Sequence, residues 1–159
     1  MMHTWFTCKV SYTKTMENGM DKKVTEPYLV DALSFTEAES RIIEEMTPYI
    51  SGEFTVAAVA KANYSELFFA EGDINASYWY KVKLAFLTLD EKTGAEKKTF
   101  TNVLVQAEDL RDAVKRLDEG MRGSMADYLI VSVAETAIMD VYPYEAPADT
   151  KPEFADVKE

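Results

Sequence analysis

Two stretches of the 159-residue sequence set an indole beside ammonium groups in the same pattern: WFTCKVSY from Trp5 to Tyr12, and WYKVKLAF from Trp79 to Phe86. Side chains alternate along a strand, so Trp5, Thr7, Lys9 and Ser11 are expected on one face, and Trp79, Lys81, Lys83 and Ala85 on the corresponding one. Indole faces stack on bases while ammonium groups meet phosphates, a combination suited to a nucleotide or a short single strand. Lys14, Lys22, Lys23, Lys92, Lys97 and Lys98 fall on the same two predicted hairpins, which then carry more than half of the 17 basic residues. Arg41 and Arg116 hold matching helical positions and extend the candidate anion site. The ligand-binding set expected from the sequence is therefore Trp5, Lys9, Lys22, Lys23, Arg41, Trp79, Lys81, Lys83, Lys97, Lys98 and Arg116. A competing account uses the same residues structurally. Exposed Lys on edge strands blocks unwanted sheet pairing, an outward Trp packs against the other half or another subunit, and Arg pairs with neighbouring Glu.

Other chemistry is poorly supplied. His3 is the one histidine, so no imidazole dyad or His-rich metal site can be assembled within the chain. Cys8 alternates with Phe6 and Val10 and reads as a core residue rather than a nucleophile. Glu37, Glu39, Glu44 and Glu45 suggest acid–base work or a hard-metal site, yet Glu37 to Arg41, Arg41 to Glu45 and Asp112 to Arg116 are i, i+4 pairs of a wet helix face. No D-x-D-x-D loop, Walker lysine loop or G-x-G-x-x-G occurs. The expectation is a non-enzymatic protein with no cofactor and no metal.

The formal charge of −11 and pI near 4.6 oppose binding of a polyanion over the whole surface, because that needs many phosphates neutralised by Lys and Arg. One cysteine cannot form an intrachain disulfide, which fits a reducing, cytoplasmic setting. Neither a signal sequence nor a run of about 18 apolar residues is present, so neither export nor membrane insertion is expected.

The elements that must position these residues come in two matching sets. Sliding the chain along itself by about 74 to 75 residues aligns Trp5 with Trp79, Gly19 with Gly94, Lys22 and Lys23 with Lys97 and Lys98, and Arg41 with Arg116. From Glu17 to Thr47 about ten of roughly thirty aligned positions are identical, against about two expected from composition. Each half reads as an alternating strand, a Gly-bearing turn, a second strand, a helix capped at Ser34 or Asp109, and two further strands. The predicted helical stripes are Phe35, Ala38, Ile42 and Met46, and Leu110, Ala113, Leu117 and Met121. In FTVAAVA and YLIVSVA both alternating faces are largely apolar, so the third strand of each set is expected to be central or covered on both sides.

The fold class expected is α+β: internally duplicated β-β-α-β-β units with antiparallel sheets, one helix per unit, and a pseudo-twofold relation. The boundaries are 1–70 for the first repeat, 71–78 for a linker and 79–144 for the second repeat. Residues 145–159, acidic and poor in apolar side chains, read as a flexible acidic tail.

With KVTEPYLVDALSFTEAE and MDVYPY in view, the chain resembles an uncharacterised small-protein family of Bacteroidetes and their phages, over about residues 1 to 145. The resemblance implies a small cytoplasmic protein and supplies no reaction, cofactor or site. The leading functional expectation is a binder that sequesters a small anionic nucleotide-type ligand, as a phage anti-defence sponge would. The alternatives are an accessory single-stranded nucleic-acid-binding or replication protein, or a structural homo-oligomeric interaction protein, and a homo-oligomer is expected as partner state.

Overall fold

A computed structural model describes residues 4–143 of the chain; the expectations for His3 and for the 145–159 tail lie outside the described residues. The fold is mixed α+β, with two helices and two four-stranded, mainly antiparallel sheets. Two compact units result, one from the described residues of Met1–Ala62 and Ile138–Glu159, the other from Asn63–Ala137.

In the first unit, β1 (Trp5–Thr15) and β2 (Asp21–Asp31) form a hairpin, α1 spans Phe35–Met46, and β3 (Phe54–Ala62) returns antiparallel to β1. Period-2 alternation does what it should on β1. Phe6, Cys8 and Val10 are buried against Ala38, Ile42 and Met46 of α1 in one core, with Tyr12, Tyr28, Phe54 and Tyr142 packed at its margin. The hairpin turns through Gly19, whose φ of 83° would strain a residue with a Cβ.

In the second unit β5 (Tyr78–Leu89), β6 (Glu96–Ala107), α2 (Leu110–Met121) and β7 (Asp127–Glu135) repeat this arrangement. Tyr80, Val82, Leu84, Val103 and Val105 close over Ala113 and Leu117. Both helices begin at the expected caps. The Ser34 hydroxyl accepts from the Glu37 N–H at 3.1 Å, and Asp109 Oδ1 accepts from the Asp112 N–H at 2.8 Å. The third residue of each helix answers in turn, Glu37 accepting from the Leu33 N–H and Asp112 from the Glu108 N–H. This closes the reciprocal arrangement of a capping box one residue further upstream.

The third strands are not central. The sheet orders are β3-β1-β2-β8 and β4-β6-β5-β7, so β3 and β7 end their sheets and leave Thr55, Ala57, Ala58, Leu129 and Val131 exposed. Each carries a bulge, opposite Lys9/Val10 and Lys83/Leu84, which interrupts the alternation and explains why both faces look apolar in sequence.

The fourth strands also depart from chain order. β4 (Glu66–Phe68), which follows β3, pairs in parallel with β6 of the other sheet, and β8 (Val141–Tyr142), which follows β7, pairs in parallel with β2. The registers correspond, Leu67 opposite Leu104 and Val141 opposite Leu29. For β4 the reason is reach. From Ala62 the slot beside β2 lies three strand spacings away, about 14 Å sideways, and about 10 Å back along the strands. The four Cα steps to Glu66 extend at most about 14 Å. The chain cannot return to its own sheet, and it passes to the next.

Candidate functional site

In the second unit, the face of the sheet opposite α2 is built by residues that alternate with the core. Along β5 these are Trp79, Lys81, Lys83 and Ala85. On either side of them, β6 contributes Lys98, Phe100, Asn102 and Leu104, and β7 contributes Leu129, Ser132 and Ala134. Lys83 stands between Asn102 and Ser132, and its Nζ lies 4.9 Å from the centroid of the Phe100 ring. That ring is 54% exposed, and Lys81, Lys83 and Lys98 are exposed around it. A half-exposed aromatic ring with the Lys83 ammonium over it, the exposed Lys81 and Lys98, and the side chains of Asn102 and Ser132 thus share one surface, where the ring can stack on a planar ligand if Lys83 swings aside and the cations can meet its negative charge.

The two tryptophans do not provide that surface. Trp79 is 2% exposed and meets the Phe69 ring edge-on at 5.4 Å, and its carbonyl accepts from both the N–H and the hydroxyl of Thr136. Trp5 is 5% exposed. Leu29, Asp31 and Leu104, on the same faces beside the indoles, are buried as well, so the outer faces are closed at the indole ends and the rings cannot receive a base. Alternation predicts which face a side chain takes; it does not reveal whether that face is covered.

The lysines divide between faces. Lys9 and Lys23 stand on the face of the first sheet opposite α1, whereas Lys22, paired directly with Lys14, projects on the other. Lys97 likewise alternates away from Lys98. Lys9, Lys22, Lys23 and Lys97 are all exposed, but only Lys81, Lys83 and Lys98 share a face with an open aromatic ring in the second sheet.

The arginines serve as clamps. Arg41 donates through Nη1 to the Asp31 carbonyl and through Nη2 to the Pro143 carbonyl at 3.2 Å. Arg116 bonds Asp112 through Nε at 2.7 Å and Asp73 through Nη2 at 2.5 Å, and hydrogen bonding to Asp112 above all raises its pKa further. A groove of about 420 Å³ beside Arg116 is lined by Leu67, Phe68, Phe69, Gln106 and Gly120, with Glu71 and Glu119. Its cation is already paired and its other charges are acidic, so it does not suit an anion. Glu108, near the same cluster, has its pKa raised chiefly by Asp73.

Cys8 is buried, its Sγ 3.9 Å from the Ala38 carbonyl, and burial, with a smaller effect of Glu39, pushes its thiol up to about 11, which keeps it out of the thiolate form. No group of three or more His, Cys, Asp or Glu among the described residues could hold a metal ion, and no helix among them is long and apolar enough to cross a membrane.

Phe100 is the residue that the sequence reading missed. The internal alignment sets it against Thr25, so it carries no repeat signal, although its alternation with Lys98 and Asn102 marked the face it would take.

A family model described as a domain of unknown function, DUF4494, matches residues 4–144. No curated protein matches the chain.

Proposed function

The chain belongs to the DUF4494 family, a domain of unknown function, and from the geometry of its second sheet we propose that it is a non-enzymatic binding protein that holds an anionic, aromatic ligand of nucleotide type on Phe100 and Lys83. The observation that carries this reading is the Lys83 ammonium over a half-exposed Phe100 ring, with Lys98 two residues from Phe100 and Lys81 two residues from Lys83 on the same sheet face. A stacking ring and a charge partner are the two contacts that a nucleotide requires, and neither depends on base sequence. The net charge of −11 favours a small ligand over a long polyanion, since a polyanion needs many phosphates neutralised by Lys and Arg. The same reading takes the two halves as copies of one β-β-α-β-β unit, supported by the shared element order and ladder registers, with the ligand surface elaborated in the second copy alone.

The test uses full-length protein, thermal unfolding and calorimetric titration, with mononucleotides, cyclic dinucleotides and short single-stranded oligonucleotides as separate arms. A ligand bound only by the folded state raises the unfolding temperature by mass action. Phe100→Ala is expected to weaken binding by about 1–3 kcal/mol, the usual worth of one stacked base. Lys83→Gln is expected to weaken it less and to flatten its salt dependence. Tight binding in the oligonucleotide arm alone would assign the surface to single strands. A flat response in every arm, or full affinity in Phe100→Ala, would remove the proposal.

A further inference from the structure

The segment from Ile138 to Pro143 is an arm that leaves the second unit and completes the sheet of the first. The contacts that seat Met139 to Pro143 are made with β2 and α1 of the first unit. The Met139 N–H donates to the Pro27 carbonyl at 2.9 Å, and the Leu29 N–H donates to the Asp140 carbonyl at 3.0 Å. Val141 is buried opposite Leu29, Tyr142 stacks on Tyr28 at 6.2 Å, and the Pro143 carbonyl receives Arg41. The slot is therefore specific, and its occupant is a short strand joined to the rest of its own half by one connection.

That connection is brief. Thr136 is anchored to the Trp79 carbonyl and Met139 to the Pro27 carbonyl, so the link between these two anchors is two residues long, Ala137 and Ile138. Exchange of an element between identical chains makes the same contacts in the dimer as in the monomer, so only the hinge conformation and chain entropy separate the two states. Shortening such a hinge until it is strained tilts this balance toward exchange, and lengthening it favours the monomer. β4 has no such freedom, because β3 before it and β5 after it are each laddered into a sheet.

We propose that the β8 arm is a dimerisation element: the slot beside β2 accepts the arm of a second copy of this chain, and reciprocal exchange yields an intertwined dimer. Within one chain the tether supplies an effective arm concentration in the millimolar range, so the dimer forms when the protein refolds at high concentration and then persists on dilution because the arms must unseat to separate.

The experiment is unfolding and refolding of the full chain over a range of concentrations, followed by light scattering on an eluting column. The expected result is a species of twice the 18.0 kDa chain mass whose share rises with refolding concentration. Deleting Ala137 should increase that share, and inserting Gly-Ser-Gly-Ser after Ala137 should abolish it while circular dichroism stays unchanged. Val141→Asp, which puts a charge in the buried slot, should reduce the dimer; if that variant fails to fold, the two hinge variants still decide. A chain that stays monomeric at every concentration even with Ala137 deleted, or a dimer whose share does not respond to hinge length, overturns the proposal.

Discussion

Gly120 shows how one residue divides the two units. It lies inside α2, where Ala would ordinarily be preferred by about 1 kcal/mol, yet a Cβ built there falls 2.7 Å from the ring of Phe68. The aligned position in α1 is Glu45, and the strand residue aligned with Phe68 is Tyr142, whose pKa is raised by burial first and then by neighbouring carboxylates including Asp140 and Glu45. The second unit thus lays an apolar ring on a bare helix where the first keeps a phenol among acids. Overpacking costs about 1–3 kcal/mol, so Gly120→Ala is expected to lower unfolding stability by about 1 kcal/mol after the helical gain, measured by urea denaturation. Adding Phe68→Leu should recover it. If Gly120→Ala alone is stabilising, the ring moves aside freely and the close contact has no role.

At the scale of elements, the start of α2 is a carboxylate network whose members have pKa values shifted in opposite directions. The Glu108 N–H and the Arg116 guanidinium hold the Asp112 carboxyl below its ordinary value, whereas Asp73 raises that of Glu108. A carboxylate with a depressed folded pKa contributes stability that is present above its unfolded pKa and is lost as pH falls through the folded one. The Asp112 contribution is therefore complete at neutral pH and disappears on the acid limb. Glu108 works the other way, since its ionisation costs the fold as pH rises through the interval between its ordinary and raised values. Asp112→Asn is expected to lower neutral stability and flatten the acid limb in denaturation curves taken from neutral to strongly acidic pH; Glu108→Gln should leave or raise neutral stability. An acid limb that Asp112→Asn does not alter would place the proton uptake elsewhere. This network was half legible beforehand, because a cap three residues before a carboxylate is a local pattern. That Asp73, far away in sequence, closes on Arg116 was not.

For the whole molecule, the crossed fourth strands make each half depend on the other. Cutting the chain between β4 and β5 leaves β4 attached to the N-terminal fragment but laddered to β6 of the C-terminal one, while β8 of the C-terminal fragment is laddered to β2 of the N-terminal one. A protease site inserted after the exposed Ile74 is therefore expected to yield two fragments that elute together natively and separate only in denaturant. Two fragments that part on a native column would show that these short ladders do not hold.

The sequence by itself determined the elements: two hairpins turning at Gly19 and Gly94, two helices capped at Ser34 and Asp109, and the alternation that sends Phe6, Val10, Val82 and Leu84 into cores. Those are local properties, set by spacing, turn geometry and backbone hydrogen bonds between near neighbours. The tertiary structure decided which sheet receives β4 and β8, that Trp5 and Trp79 are covered, and that Phe100 on the same face as Trp79 is half-exposed. Strand partnership and burial depend on how far a short link reaches and on what lies across a sheet face, and residues distant in the chain control both.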